Sequence, residues 1–566
     1  MSLFSSIQMA GGSLKANEIA LQVVGQNIAN ANTPGYLRET ANFVPGPSQT
    51  AGALVQGSGV QIVSITQQVD KFLEGRLRNA NADQAGTDTL KETYSQLEAI
   101  VGGLDSNSNL SGAMNQFFSA ISNVLNQPDS VSVRQLAVMQ GQSLVRSINT
   151  MSNNTVQLRA AVNDQVGSMA ADINHLTNQI AQLNKRIAEV TGGGQLPSDA
   201  AGLADQRHQA VTDLAKLIGV QVNTQTDGSL SIYIGGSYLI DGSVARQIEV
   251  AYSSDHGQPI STLQVAGINT PLEPASGKLH GLISSRDDVL GGFQDQLNTF
   301  AGILTGEFNK IYSGGQGTSA YTQTTGLNSV SDPNASLDQA GLPSTPTNGS
   351  LQIIVMNKQT GASNTVDIPI ALLGSGHNTS LNSLTAAINT NVSGLSAQVV
   401  NGKLSISSTD ANTQFAFGSD TSGTLAALGI NTFFTGTQVG NLGVNNTLLQ
   451  DPTKFAASSK GVGKDTTNAQ TLATFLTLPL ATQNGSTIQS LYNNITTSVT
   501  QASANATASA SAADTFQASL TSQQTAVSGV NIDEEAVNML AYQRAYQASA
   551  KYISTLNDLL TMLVQL

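Results

Sequence analysis

Hydrophobic positions near the N-terminus repeat with a helical period. A stripe of mostly apolar residues is separated alternately by four and three positions: Leu3, Ile7, Ala10, Leu14, Asn17, Leu21, Val24, Ile28 and Ala31. This seven-residue repeat is typical of a helix that packs against another helix. The helix is expected to end at Asn32-Thr33-Pro34-Gly35, because proline disfavours the helical conformation of the residue before it.

The C-terminal end of the sequence carries a second stripe. Asn531 precedes Asp533, Glu534 and Glu535, which predicts a helix that begins with Asn531 and Glu534 in a capping box. The apolar stripe then runs Val537, Ala541, Ala545, Ala548, Tyr552, Leu556, Leu559, Leu563 and Leu566. Stripes at both ends predict that the two ends meet as a coiled coil.

Helical and strand patterns alternate between these two ends. A further heptad stripe covers residues 158–190 and is expected to stop at Gly192-Gly193-Gly194, and residues 68–150, 279–312 and 466–527 are also helical in character. Apolar and polar residues alternate around Asp227-Gly228, which predicts a hairpin. A second β region with one short helix spans residues 350–430. The expected fold class is therefore multidomain α+β, with a terminal coiled coil, an elongated helical-bundle domain and inserted β-rich outer domains.

Four domains are expected from the order of these patterns. They are a terminal coiled-coil assembly domain (1–40 and 528–566), a helical rod-like domain (41–215, 279–312 and 440–527), a β-rich domain (216–278) and a variable β/α insert (313–439).

The composition favours self-association over nucleic acid binding. Charged residues make up 11% of the chain, compared with roughly 25% in typical soluble proteins. The net charge of −13 and the scattered lysines and arginines argue against a phosphate-binding surface. No segment approaches the roughly 18 consecutive apolar residues of a membrane span, and residues 1–12 lack the features of a cleavable secretory signal. We therefore expect no membrane insertion.

The sequence shows no constellation for catalysis or for a cofactor. It contains no cysteine, and its five histidines, at positions 175, 208, 256, 280 and 377, do not stand in a metal-ligand spacing. Residues 460–465 lack two positions of a phosphate-binding loop. Asp205 and Arg207 are expected to form an exposed ion pair on a helix. We expect a protein that is not an enzyme and that has no metal or cofactor.

Two states of the terminal helices are possible, because a lone amphipathic helix is unstable in water. Either the ends pair within one chain, or both are disordered in the monomer and become helical only when subunits stack. Strong hydrogen-exchange protection of residues 3–31 and 537–566 in the monomer would exclude the second possibility.

Two terminal strings resemble the signatures of flagellar rod, hook and hook-associated proteins. The first is Asn27-Ile28-Ala29-Asn30-Ala31-Asn32-Thr33-Pro34-Gly35-Tyr36. The second is Ser528-Gly529-Val530-Asn531-Ile532-Asp533-Glu534-Glu535, followed by residues 542–548. The form of the second string and the long helix at 158–190 are most similar to the hook-associated members of this group.

The resemblance implies a structural component of the bacterial flagellum. A protein of this kind assembles as a ring between hook and filament, with its terminal helices lining the central channel. Its partners are the hook protein, a second hook–filament junction protein, the type III export apparatus and a cytoplasmic export chaperone, which binds at about residues 530–566. It leaves the cell through the flagellum and is extracellular once assembled.

Two other functions are compatible with the sequence. The first is a flagellar hook or distal rod protein, although those carry a more β-rich body. The second is a secreted adhesin-like or hydrolase module, at about residues 315–425, carried on a flagellar axial scaffold.

Overall fold

The computed structural model describes residues 3–33, 35–51, 54–102, 109–192, 198–372 and 378–565. Over these residues the protein combines long helices with several small sheets, which confirms the expected α+β class. The chain divides into two compact units. Unit 1 contains Met1–Thr93, Ala160–Asp288 and Ala504–Leu566, and unit 2 contains Tyr94–Arg159 and Val289–Ser503. The division into four domains stays a prediction.

The helices follow the regions expected from the sequence. In chain order the α-helices are Leu3–Ala29 (α1), Lys71–Gly102 (α2), Leu110–Asn126 (α3), Val131–Gly192 (α4), Ser198–Leu217 (α5), Lys278–Ser284 (α6), Gly292–Ser313 (α7), Leu381–Asn391 (α8), Thr424–Leu428 (α9), Asn446–Gln450 (α10), Thr467–Ala473 (α11), Ile488–Ser528 (α12) and Ile532–Val564 (α13). A π-helical segment, Ser285–Gly291, connects α6 to α7. Short 3-10 turns lie at Val439–Asn441, Pro452–Lys454, Phe475–Thr477 and Ala481–Gln483.

One expected helical region is interrupted. Residues 466–527 were expected to be helical, but residues 474–487 leave the α-helical conformation between α11 and α12. Pro479 lacks a backbone N–H, and Asn484 and Gly485 have φ angles of 52° and 82°. The glycines Gly193 and Gly194, expected to terminate the long helix, lie outside the described residues.

The strands form small antiparallel sheets. They are Glu39–Pro45 (β1), Gln49–Ala51 (β2), Leu54–Gln56 (β3), Val60–Gln67 (β4), Gln221–Thr224 (β5), Leu230–Ile234 (β6), Ser237–Asp241 (β7), Val244–Ala245 (β8), Ile248–Asp255 (β9), Gln258–Val265 (β10), Gln323–Thr325 (β11), Gly349–Asn357 (β12), Ser363–Ile370 (β13), Leu395–Val400 (β14), Lys403–Ser408 (β15), Thr413–Asp420 (β16), Phe434–Thr435 (β17) and Gly443–Val444 (β18).

The hairpin that follows α1 was missed in the sequence, where residues 41–67 were assigned to the helical domain. Strands β1 and β4 pair from Glu39 opposite Gln67 to Pro45 opposite Val60, with an irregularity between Asn42 and Phe43. Both strands contact α1. Their side chains are mostly half-buried or exposed, so the apolar alternation is weak, and this explains why the pattern did not indicate strands.

The hairpin expected around Asp227-Gly228 is present in unit 1. Val222 on β5 lies opposite Ile232 on β6, and β7 and β8 extend the sheet. Gly228 has a φ of 80°, which the turn requires. Asn184 on α4 donates to the carbonyl oxygen of Leu230 at 2.9 Å, which attaches the helix to this sheet.

Unit 2 is built around a cluster of aromatic side chains. The ring of Phe308 lies 5.5 Å from Phe117 and 5.6 Å from Phe433. A Cβ atom at Gly141 would lie 2.4 Å from the Phe433 ring, so only glycine fits there without a shift of the aromatic cluster. The strands and short helix expected within residues 350–430 are also present, as the sheets β13-β12-β16 and β11-β15-β14 and the helix α8.

Candidate assembly site at the chain termini

Helix α1 packs against α13 within unit 1, so the two ends of the chain meet. The apolar stripe expected on α1 faces the packed side, where Val24 is buried and the following side chains are half-buried: Leu3, Ile7, Leu14, Leu21 and Ile28. The small side chains of Ala10 and Ala20 are also buried. Ser13 Oγ lies 3.2 Å from Ser549 Oγ of α13.

The face of α13 that packs on α1 is mostly not the stripe read in the sequence, and the role of that stripe in assembly stays a prediction. The buried and half-buried side chains are Glu535, Asn538, Met539, Tyr542, Ala545, Tyr546, Ser549, Ala550, Ile553, Leu556 and Leu560. Of the expected stripe, only Ala545 and Leu556 lie among them. The packed face is displaced by about a quarter of a turn, at roughly 3.6 residues per turn.

The remainder of the expected α13 stripe is exposed to solvent. Its exposed members are Val537, Ala541, Ala548, Tyr552, Leu559 and Leu563, while Leu566 lies outside the described residues. Val537 is 66% exposed and Leu563 is 58% exposed. Leu540, Met562 and Val564 add further exposed apolar surface. Helix α13 therefore has two apolar faces, and the sequence pattern does not tell which of them meets α1. We call the exposed set the outer face of α13.

Asn27 of the N-terminal signature joins the two ends through polar contacts. Its side-chain amide donates to the carbonyl oxygen of Glu39 at 2.8 Å and to Oε2 of Glu535 at 3.1 Å. Its Oδ1 accepts from the backbone N–H of Glu39 and from the Tyr36 hydroxyl, at 3.0 and 2.9 Å. Asn27 is 1% exposed, so each of these bonds replaces a lost bond to water.

Arg38 is the cation of this junction. Its Nε donates to Glu535 Oε1 at 2.8 Å, and its Nη1 donates to Glu534 Oε2 at 3.0 Å. Its backbone N–H donates to the carbonyl oxygen of Ser528 at 2.9 Å. The Glu535 side chain is 2% exposed, and a carboxylate at such a depth requires a paired cation. The sequence analysis did not single out Arg38. The signal that could have indicated it is a basic residue two positions after Tyr36.

The remaining signature residues shape the two turns beside this junction. Asn531 caps α13 by accepting from the backbone N–H groups of Asp533 and Glu534. Glu534 is directed to Arg38. Gly529 cannot be replaced without strain, because a Cβ there would lie 2.3 Å from the Thr525 carbonyl oxygen.

The turn after α1 is held mainly by local bonds. The Asn30 side chain donates to the carbonyl oxygen of Gln26, and the Thr33 hydroxyl donates to Asn30 Oδ1. Gly35 has a φ of 80°, which favours glycine. Asn32 is exposed, and Pro34 lies outside the described residues.

A group of carboxyls surrounds the junction. Burial, and then repulsion from Glu39, raises the pKa of Asp205 to about 7. Burial also raises the pKa of Glu39. Gln67 donates to Asp205 Oδ1 at 2.7 Å. The expectation of an exposed ion pair between Asp205 and Arg207 was wrong, because Arg207 donates instead to Asn184 Oδ1 and to the Gly228 carbonyl oxygen, at 2.9 and 2.8 Å.

The described residues also bear on metal binding and on membrane insertion. Within the described part of the chain, no three or more His, Asp or Glu side chains form a group that could hold a metal ion. None of the described helices is long and apolar enough to cross a membrane. Burial lowers the pKa of His208, whose Nδ1 lies 3.2 Å from Glu74. His377 lies outside the described residues.

Three family models match separate parts of the chain. The model described as the flagellar hook-associated protein FlgK helical domain matches residues 94–328. The model for the C-terminal part of flagellar basal body rod FlgEFG proteins matches residues 522–566, and the model for flagella basal body rod proteins matches residues 7–36. Together they cover more than half of the chain.

Proteins whose sequences are similar to this chain are named flagellar hook-associated protein 1. The protein of Salmonella typhimurium is 30% identical over 321 residues, which is 55% of this chain and 57% of that protein. This alignment therefore spans little more than half of the relative's length. The Escherichia coli protein is 26% identical over 571 residues, covering 99% of this chain and 100% of the relative.

The fold is also similar to that of a solved structure. The flagellar hook junction protein FlgK from Burkholderia pseudomallei superposes with a TM-score of 0.53. It shares 18% sequence identity, over 80% of this chain and 100% of that one. At this identity the likeness concerns the fold alone.

Proposed function

Because this chain belongs to the family of flagellar hook-associated proteins that FlgK represents, we propose that it is a structural subunit of the hook–filament junction. The observation that carries the proposal is the terminal pair α1–α13. It is closed on one side by the Asn27–Arg38–Glu535 junction and carries an uncovered apolar face on the other. Such a face is unfavourable in water and is covered by assembly.

The proposed assembly is a ring of copies between hook and filament. Each copy contributes its α1–α13 pair to the wall of the central channel, and the outer face of α13 packs against the terminal helices of neighbouring subunits. The hook protein contacts the ring on one side and the second junction protein contacts it on the other. The low charge content supports this packing, because copies of a chain with only 11% charged residues repel one another weakly.

Before assembly the outer face of α13 requires a different cover. We assign this role to a cytoplasmic export chaperone that binds at about residues 530–566. Val537, Leu540, Leu559 and Leu563 lie on one helix with helical spacing, which suits a partner with a hydrophobic groove. The chain is then exported through the type III apparatus of the flagellum and functions outside the cell. It acts without catalysis, metal or cofactor.

The match of the helical-domain model favours this function over that of a hook or rod protein. The rod-protein models match only the two ends, which axial proteins share, whereas the FlgK model matches residues 94–328 between them. The adhesin or hydrolase module stays an alternative without a supporting site, because the sheets of residues 349–420 have a continuous apolar core.

Immunogold labelling of isolated flagella tests the proposal. Antibody against the full chain is expected to label one narrow band where the hook meets the filament. Label along the hook or rod would assign the chain to another axial component. Flagella without label would contradict the proposal.

A further inference from the structure

Two exposed phenylalanines and one arginine form a surface patch on unit 1, on helices α2 and α12. Phe72 is 75% exposed and Phe516 is 49% exposed. The guanidinium carbon of Arg76 lies 5.8 Å from the centroid of each ring. We call these three residues the Phe72–Arg76–Phe516 patch. Exposure of a phenylalanine forgoes most of the favourable free energy that its burial would contribute, so such a patch is unusual on an isolated surface.

The packing of α2 on α12 does not require this patch. The two helices are joined by a separate apolar cluster of Leu73, Leu77, Ala80 and Leu520. Gln517 donates to Asn81 Oδ1 at 3.1 Å, and Gln84 donates to Asp514 Oδ1 at 2.6 Å. Phe72 and Arg76 are four positions apart on α2, so they lie on one stripe of the helix beside the buried one.

The helix end that carries Phe72 is held firmly. The side chain of Asp70 accepts from the backbone N–H groups of Phe72 and Leu73, at 2.9 and 3.1 Å, and so caps α2. The patch is thus presented by a capped helix that is packed against a second helix. A rigid aromatic surface loses little conformational entropy on binding.

The charges around the patch indicate what it binds. Among the described residues, no carboxylate lies within ion-pair distance of Arg76. Aromatic and arginine side chains are the residue types that most often dominate binding at protein interfaces. The chain carries 37 Asp and Glu against 24 Lys and Arg, so a second copy of it has the net negative charge that complements Arg76.

We propose that the Phe72–Arg76–Phe516 patch is a subunit contact, which binds a carboxylate-bearing surface on a second copy of this chain. The two rings would cover apolar surface while Arg76 pairs with the carboxylate of that copy. In a ring, each subunit meets its neighbour through two different surfaces, and the patch supplies one of them. This inference rests on the proposed assembly into a ring and adds the residues through which unit 1 takes part.

Site-specific photo-cross-linking tests this contact. The full-length chain with p-benzoylphenylalanine at position 72 replaces the natural protein in flagellated cells, and purified flagella are irradiated. We expect an adduct of two copies of this chain. The matched control places the same probe at position 252, since Tyr252 is also 75% exposed in unit 1 and lies outside the patch. It is expected to give no such adduct.

The outcomes separate this inference from the proposed function. If the unsubstituted chain is absent from purified flagella, the proposed function fails. If the probe-bearing chain is present but gives no adduct, gives adducts with a different protein only, or gives equal adducts from positions 72 and 252, the contact is excluded.

Substitutions provide a second measurement. Arg76→Gln and Phe516→Ala alter exposed side chains and are expected to leave the Tm of the purified monomer unchanged. Each is expected to reduce the amount of chain in flagella about tenfold, as expected for residues that dominate an interface. Tyr252→Ala should have no effect. Wild-type amounts for both patch variants would overturn the inference.

Discussion

Asn27, Arg38 and Glu535 form a buried polar junction between the two ends of the chain. Burial of charges costs free energy that pairing recovers only in good geometry, so such a group contributes more to a unique arrangement than to net stability. Two contacts define the register of α13 against α1 that this junction fixes. Ser13 meets Ser549, and Asn27 meets Glu535, so that both helices advance by two heptads, in opposite directions, between the contacts. A slip of α13 along α1 would leave Glu535 buried without Arg38.

Removal of the buried charge is expected to loosen α13. Glu535→Gln removes the buried carboxylate from Arg38 and Asn27 and leaves Arg38 only the exposed carboxylate of Glu534. Loss of one partner from a buried pair costs about 3 kcal/mol. We therefore expect the opening free energy of α13, measured by amide hydrogen exchange, to fall by about that amount. The control is Glu534→Gln, because the Glu534 side chain is 58% exposed and its loss should cost under about 0.5 kcal/mol. Equal effects of the two substitutions would contradict a special role for Glu535.

The carboxyl of Asp205 is expected to make unit 1 more stable in weak acid. Its pKa is about 7 in the folded chain and about 3.9 in an unfolded one. The folded state therefore binds more protons between these values, and stability falls as the pH rises from about 4 to about 7. Protection factors of α5 amides should be higher at pH 5 than at pH 8.

Asp205→Asn removes this titration and should flatten the profile. Asp213→Asn, at a side chain that is 41% exposed on the same helix, is the matched control substitution. Protection that rises with pH in the unsubstituted chain would contradict this assignment.

Helix α13 shows what an element gains from carrying two apolar faces. One face, which includes Leu556, packs on α1, and the outer face remains available for other subunits. In the assembly that we propose, the first face holds the two ends of one subunit together, and the outer face binds neighbouring subunits. Both faces belong to one continuous helix, so a change in its register against α1 would also move the outer face.

A pair of leucines on α13 separates these two roles. Leu556→Ala removes a side chain that is 5% exposed and should lower the opening free energy of α13 by about 2–3 kcal/mol. Leu559→Ala changes the outer face, so it should leave that free energy nearly unchanged but weaken incorporation into flagella. The measurements are hydrogen exchange on the monomer and the amount of chain in purified flagella. The opposite assignment of the two effects would show that the faces are reversed in solution.

At this scale the sequence predicted the helices better than their contacts. The heptad pattern located α1, and the Asn531–Glu535 order located the start of α13, because local chemistry determines both. Most of the α13 stripe lies on the outer face, because two apolar faces compete, and contacts such as that of Glu535 with Arg38 and of Ser13 with Ser549 select the face that packs. The β1–β4 hairpin was missed because its side chains are barely buried.

The candidate site was predictable only in part. The resemblance of the terminal strings to flagellar signatures singled out Asn27, Tyr36 and Glu535. The structure shows that Asn27 is hydrogen-bonded to both of the other residues. Arg38 contributes through tertiary proximity to Glu534 and Glu535, which lie 496 and 497 positions away, so no local pattern contains this contact.

For the whole molecule, assembly is proposed to depend on terminal segments that the central domains do not need in order to fold. Unit 2 has its own aromatic core around Phe117, Phe308 and Phe433, and the insert has a separate apolar core. Neither core includes residues of α1 or α13. In the proposed assembly, the central domains therefore stay folded while the outer face of α13 is covered first by a chaperone and then by neighbouring subunits.

Removal of residues 533–566 is expected to abolish incorporation into flagella while unit 2 remains folded. The deletion removes α13 and exposes the packed face of α1, but it leaves every residue of unit 2 in place. Near-ultraviolet circular dichroism of the purified chain would report the aromatic core, and electron microscopy would report the filaments. Normal filament growth on cells that contain only the truncated chain would contradict this expectation.

The most direct test of the account is electron cryomicroscopy of the hook–filament junction in flagella that contain this chain. We predict a ring of copies in which α1 and α13 are paired through Asn27, Arg38 and Glu535, with Val537, Leu559 and Leu563 buried against neighbouring subunits. A junction built without this chain, or one in which the outer face of α13 remains in contact with solvent, would contradict the account.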